Sequence, residues 1–288
     1  MKKWLKENTR SLVGKTVAIS GATGGIGKEL CAHICELGAD LVLLDRNVAK
    51  SQALSDELKS RFPAAKIDRL RLDLEDMSTV KAVADALTET PPDCLILNAG
   101  AYSIPRHKCP TGYDNVYQIN FVSPYYLARR LLPLIEARGG KVVAVGSIAH
   151  GYSHIDKSDV DFSSRTAASK VYGNAKRYLT YALLGLDSPA VSVTHPGITL
   201  TGITAHYPKL VFAIIKHPMK VIFMKPKKAS LCILAGLFAN VGASEWIGPR
   251  LFGIWGLPRK KRLCTADAEE RQSICEISER IYREQIIV

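Results

Sequence analysis

Short apolar runs recur along the chain, and most are followed by a stretch in which apolar positions return every three or four residues. Residues 16–20, 40–45, 93–97, 141–145 and 190–194 are mostly apolar, as strands buried on both faces of a parallel sheet are, and the more charged stretch 66–72 falls in the same rhythm and reads as a further strand. Between them, helical spacing predicts helices over 28–37, about 49–60, about 78–87, about 113–138 and 167–186, the fourth interrupted only lightly by Pro124 and Pro133. Strand and helix in alternation predict an α/β fold, a doubly wound parallel sheet with helices on both faces and right-handed crossovers. No linker, repeat or low-complexity segment divides the 288 residues, so one domain is expected over 1–288. It would comprise an N-terminal arm (1–14), a substrate lid (200–228) and a C-terminal helix (265–284).

The first strand runs into Gly21-Ala22-Thr23-Gly24-Gly25-Ile26-Gly27 and then straight into a helical pattern. Free backbone N–H groups and the positive end of a helix dipole then face one point, which makes an anion site. Glycines suit it because a Cβ would block the turn, the approach of a pyrophosphate and the packing of helix on strand. Asp45 ends the next strand, where a ribose-binding carboxylate belongs. The loop reads as a dinucleotide site.

Charge and cysteines narrow the class. The net charge of +12 is local: residues 1–15 carry +4, 206–228 carry six lysines and no acid, and 257–263 carry four cations. None of these stretches has the aromatic platform or the spacing of a nucleic-acid module, so nucleic acid is excluded as a partner. The seven cysteines have no paired CxxC spacing and fall mostly in apolar stretches, so they read as reduced thiols, and no metal site is expected. No signal-peptide core follows Met1-Lys2-Lys3, and the longest apolar run in 206–228, Leu210 to Ile215, is far short of a membrane span. A cytoplasmic protein is expected, with peripheral attachment to a membrane left open.

Several separated motifs, in order, resemble the short-chain dehydrogenases/reductases from about Lys15 to the last helix. The glycine run satisfies both Gly-x-x-x-Gly-x-Gly of the compact branch and Gly-x-x-Gly-x-x-Gly of the sugar-nucleotide branch. Asn98-Ala99-Gly100, Asn120 in a long helix, Ser147 at a strand end, Tyr172-Gly173-Asn174-Ala175-Lys176 and Pro196-Gly197 with Thr201 are similar to the compact branch. The step from Ser147 to Tyr172, and Ser147-Ile148-Ala149-His150 itself, look most like the retinol-dehydrogenase and hydroxysteroid-dehydrogenase-like members. Gly146 and Asn174-Ala175 depart from the usual residues without removing a catalytic group. The resemblance implies a Rossmann-like fold, catalysis by Asn120, Ser147, Tyr172 and Lys176, and cofactor contacts from Thr23, Ile26, Leu74, Ala99 and Thr199 as well as the motif residues. It also implies that Lys176 binds the nicotinamide ribose.

The residues have a chemical reading of their own. Reducing a ketone with a nicotinamide needs a proton at oxygen while hydride moves at carbon. Tyr172 and Lys176 lie four apart in a helical stretch and share a face, so the ammonium can favour the phenolate. Ser147 ends a strand at the carboxyl edge of the sheet, where its hydroxyl can donate to a developing alkoxide. Asn120, inside a helix, either holds a water near Lys176 or is a satisfied core amide. Asn98 pins the central strand and Gly100 admits the cofactor. Asp73 either reaches the adenine or opens the next helix. Asp45 favours NAD by repelling a 2′-phosphate, whereas Arg46 could receive one; NAD is expected, with NADP not excluded.

The apolar lid, with Phe212, Ile215 and Phe223 among lysines, predicts a bulky steroid- or retinoid-like alcohol or ketone, unless it is a solvated amphipathic cover or a membrane-facing surface. The expected activity is therefore an NAD(P)-dependent alcohol dehydrogenase/ketone reductase, as a homodimer or homotetramer if it assembles. Its rivals are a catalytically silent nucleotide-sensing protein of the same fold and a sugar-nucleotide epimerase or dehydratase, for which the chain lacks a sizeable carboxy-terminal domain.

Overall fold

The computed structural model describes residues 1–199 and 223–287. Helix α1 (Lys2–Asn8) precedes β1 (Thr16–Ser20), α2 (Gly25–Glu36), β2 (Asp40–Asp45), α3 (Val48–Arg61), β3 (Ile67–Arg71), α4 (Met77–Glu89) and β4 (Cys94–Leu97). A short α5 (Asn115–Tyr117) passes through a π-helical turn (Gln118–Val122) into α6 (Ser123–Ala137). Then come β5 (Lys141–Val145), a 3-10 turn (Ile148–Tyr152), α7 (Ala168–Leu184), β6 (Val191–Thr194), α8 (Pro226–Gly236), β7 (Glu245–Leu251), β8 (Trp255–Arg262) and α9 (Ala268–Ile287).

Among the described residues the strands form one sheet in the order β3-β2-β1-β4-β5-β6-β7-β8, parallel except for β8. Side chains on a strand alternate between faces, and the central strands are apolar on both. Val17 and Ile19 of β1, Cys94 and Ile96 of β4, and Val143 and Val145 of β5 join one core layer with α2, α3 and α8. Ala18, Leu95, Leu97, Val142 and Ala144 join the other with α4, α6, α7 and α9.

Four sequence expectations need adjusting. The glycine loop is followed at once by α2, which starts at Gly25. The long helix is divided by the π turn, while Pro124 sits at its permissive start and Pro133 points to solvent. The N-terminal arm contains a helix that buries Trp4 against the α2 layer. The β7–β8 hairpin extends the sheet where the sequence showed a basic run: Trp255-Gly256-Leu257-Pro258-Arg259-Lys260-Lys261-Arg262 is a strand exposed on most of its positions. Much of the lid region, including Phe212 and Ile215, lies outside the described residues, and its last residues, 226–228, begin α8. No described helix is long and apolar enough to cross a membrane.

Candidate active site

A cleft of about 730 Å³ opens at the carboxyl ends of the parallel strands. Its floor at one end is the glycine loop. Gly21 has φ +68°, and a Cβ there would lie 2.9 Å from Ala99 Cα; a Cβ on Gly27 would come within 2.3 Å of Gly21 O. Gly24 caps α2 with no side-chain hydrogen bond, so the first-turn amides of α2 are left for an anion. Asn98 donates from Nδ2 to Ser20 O (3.1 Å) and Gly21 O (3.0 Å), locking β4 to the start of the loop.

Asp45 is almost fully buried and all its hydrogen bonds are internal: Oδ1 accepts from Thr23 N (3.1 Å) and Thr23 Oγ1 (3.0 Å), and Oδ2 from Ser51 Oγ (3.1 Å). It therefore shapes the glycine loop as well as facing the cleft. Arg46 is exposed and pairs with Glu75 at 3.7 Å. Lys50, in the first turn of α3, lines the same wall, a second cation that the strand-end position of Arg46 does not point to. Asp73 lies in the cleft wall rather than capping α4, since Asp76 is the cap.

At the other end Tyr172, Lys176 and Ser147 converge. Gly173 lets α7 sit against the 148–152 turn, where a Cβ would meet Ala149 O at 2.5 Å. That contact brings the Tyr172 phenol into a hydrogen bond with Ser147. Burial raises the phenol to about 12, the Ser147 bond opposes this, and Tyr102 adds to it. The Tyr102 ring stands edge-on to Tyr172 with centroids 5.3 Å apart, a neighbour the sequence did not single out. Lys176 is buried, its Nζ 5.8 Å from the Tyr172 ring centre and donating to Val145 O at 2.8 Å, and burial pulls it down to about 7.

Asn120 does not line the cleft. Its Nδ2 donates to Ala101 O and Val116 O, both at 2.8 Å, and its Oδ1 accepts from Ala101 N at 3.3 Å. A π turn shifts the local hydrogen-bond register, and here the amide side chain ties that turn to the exit of β4. A Cβ on Gly100 would lie 2.7 Å from Asn120 Oδ1 and 3.5 Å from Lys176 Nζ, so Gly100 separates the amide from the ammonium. His195 stacks on Trp246 at 4.1 Å and accepts from Gly197 N at 3.3 Å, which shapes the Pro196-Gly197 turn; burial holds its imidazole neutral.

The other predicted cofactor residues, Gly25, Ile26, Leu74, Ala99, Pro196 and Thr199 among them, border the cleft, whereas Thr201 lies outside the described residues. Collisions awaiting any Cβ at Gly21 and Gly27, together with an uncapped helix start, fit a dinucleotide. Tyr102, Ile148, Tyr152, Ile198 and Phe223 give the Tyr172 end an apolar and aromatic wall.

A profile of the family described as short chain dehydrogenase matches residues 15–207. A short chain dehydrogenase of Aspergillus nomiae is 35% identical over 155 residues, 50% of this chain and 42% of that protein. Retinol dehydrogenase 12 of Mus musculus is 31% identical over 201 residues, 66% of this chain and 63% of the relative. The chain thus spans less than two thirds of the length of either relative. Retinol dehydrogenase 14 of Homo sapiens is 26% identical over 265 residues, with coverages of 83% and 78%. Among solved structures, an uncharacterised protein from Mycobacterium paratuberculosis superposes with a TM-score of 0.73 at 24% identity, covering 96% of both chains. An NADPH-dependent 3-quinuclidinone reductase from Rhodotorula rubra reaches 0.61 at 23% identity over 80% of this chain and 86% of that one.

Proposed function

The chain belongs to the short-chain dehydrogenase family, and from that membership we propose that it is a nicotinamide-dependent oxidoreductase interconverting a bulky apolar alcohol with its ketone or aldehyde. The observation that carries the reading is the convergence of Ser147, Tyr172 and Lys176 at one end of a cleft whose other end is the glycine loop. The bound nicotinamide would supply or accept the hydride. In the reducing direction Tyr172 donates its phenolic proton to the substrate oxygen while Ser147 Oγ holds that oxygen in line. A phenol raised to about 12 is fully protonated at neutral pH, the form that reduction needs. Oxidation needs the phenolate, which the Lys176 charge favours. Lys176 also holds the ribose hydroxyls, and Asn120 fixes the Ala101 backbone beside Gly100, which keeps that wall open to the cofactor.

The aromatic wall around Tyr172 supports an apolar substrate, and the retinol dehydrogenases among the relatives point the same way. Each contact with a side chain of Phe or Leu size is worth roughly 1.5–3 kcal/mol. Catalytic efficiency is expected to rise about a hundredfold or more from a short alcohol to a polycyclic or polyene one, and to fall back when Tyr152 and Phe223 are truncated to alanine. Initial rates across an alcohol and ketone panel check this. Equal efficiency on a small polar ketone and a steroid would refute the substrate class, and cofactor binding without turnover on any of them would favour the silent nucleotide sensor.

We also propose NAD as the preferred cofactor. Asp45 keeps a buried negative charge beside the ribose position, and Arg46 is partly neutralised by Glu75. Asp45→Asn keeps acceptors for Thr23 and lets an amide face Ser51 while removing the charge, so NADP affinity should rise about tenfold or more with NAD affinity little changed. Titration of both cofactors is the check; tighter NADP binding by the native chain would show that Arg46 and Lys50 decide the preference.

A further inference from the structure

Beside the cleft, one cluster of metal-ligating side chains touches none of the proton-transfer groups, although its Glu75 also pairs with Arg46 at 3.7 Å. Glu75 follows β3 in the turn that also carries Asp73 and Leu74, and His107 and Cys109 stand in the segment between β4 and α5. The ligand atoms of Glu75, His107 and Cys109 all lie within 4.8 Å of one another. We infer that these residues form a binding site for a divalent transition-metal ion of the zinc type, which clasps the β3–α4 turn to the segment after β4.

The geometry is built by the backbone. Asn115 N donates to His107 O at 3.0 Å and Cys109 N to Tyr113 O at 2.8 Å, while Lys108 and Asp114 form an isolated antiparallel bridge. In this short extended stretch His107 and Cys109, two apart, face the same side. His107 Nε2 lies 3.1 Å from Glu75 Oε2, close to the roughly 3.3 Å that separates a nitrogen and an oxygen ligand on one tetrahedral ion with bonds of about 2.0 Å. Closing the remaining distance to the Cys109 sulfur takes about 1 Å of side-chain rotation by the same geometry.

The donor set of thiolate, imidazole and one carboxylate selects zinc-like ions over magnesium or calcium, whose ligands are oxygens. Asp73 and Asp114 lie near enough to add to the negative potential at the Cys109 sulfur. Cys109 is buried and His107 is exposed, so an ion would enter from the His107 side and keep a water in its fourth position. Binding releases the thiol proton and leaves the imidazole proton on Nδ1. The Asn115 amide, whose Nδ2 lies 3.1 Å from Nδ1 and donates to Pro105 O at 3.0 Å, would have to turn its oxygen to accept that proton and give up the Pro105 bond. The clasp would join the wall formed by Asp73 and Leu74 to the segment that carries Tyr102.

The test is a cobalt(II) titration of the full chain after dialysis against a chelator. One equivalent of cobalt should produce a thiolate charge-transfer band in the near ultraviolet and the visible bands of a tetrahedral site. Both should persist in Cys264→Ser, which removes the exposed cysteine. Both should be lost, or cobalt affinity lowered at least about a hundredfold, in Cys109→Ser and in His107→Gln, whose surface position leaves the core intact. No thiolate band in the native chain, or one that survives Cys109→Ser, overturns the proposal.

Discussion

Replacing Tyr172 with phenylalanine is expected to lower turnover by about two to four orders of magnitude while cofactor affinity stays within a fewfold of the parent. The substitution deletes the phenolic oxygen and leaves the ring, so the edge-on contact with Tyr102 at 5.3 Å is kept. The Lys176 bond to Val145 O does not involve the phenol, so the ammonium stays where it is. What disappears is the phenolic oxygen that shares a hydrogen bond with Ser147, and with it the proton that the proposed reduction needs. Turnover assays paired with cofactor titration separate the two effects. A Tyr172→Phe enzyme that turns over within a fewfold of the parent would remove this tyrosine from the acid/base role.

The second large effect is expected on stability, from Glu270→Ala in α9. Its partner Arg177 is buried in α7. Arg177 donates from Nε to Glu270 Oε1 at 2.7 Å and from Nη2 to Glu270 Oε2, and also to His150 O (2.9 Å) and Thr265 O (2.6 Å). Removing the carboxylate strands a guanidinium away from water, which costs about 3–5 kcal/mol. Urea unfolding at neutral pH measures it, and a loss below about 1 kcal/mol would mean that water replaces the carboxylate. The pair also leaves an acid signature. Burial alone would raise the Glu270 carboxyl, but hydrogen bonds from Arg177 and then Ile155 outweigh it and hold the group below the usual range. A depressed carboxyl contributes stability above its unfolded pKa of about 4.3 and loses it as pH falls through the folded value. Glu270→Gln should therefore flatten the acid limb of the stability curve. Because His150 in turn bonds through Nδ1 to Ser147 O at 2.6 Å, the same change should reach the strand end that carries Ser147.

That relay from the last helix to Ser147 was not legible in the sequence, and the reason is physical. Burial of a whole strand leaves a local mark, because both faces must be apolar; β1, β4 and β5 could be read from such runs. The glycine loop was legible for a related reason, since only glycine fits where Gly21 and Gly27 stand. Ion pairs across the fold leave no such mark: nothing near Arg177 in sequence points to a glutamate ninety-three positions away. Asp45 was readable as a charge at a strand end, but not as the acceptor that Thr23 and Ser51 share. β8 was hidden because an edge strand need be apolar on neither face, and four cations in a row look like a loop. His107 and Cys109 went unremarked because the third member of their cluster, Glu75, comes from a different turn.

The same cations bear on how the sheet ends. Pro258 faces Pro249 across the last ladder, and Arg259, Lys260, Lys261 and Arg262 complete the outer strand. At the opposite margin β3 exposes Asp68, Arg69 and Arg71. A neighbouring sheet approaching either rim meets fixed charge, and at β8 it also meets a missing N–H donor. Strand-by-strand polymerisation through the edges of the sheet is therefore opposed at both ends, most strongly where salt does not screen the rims.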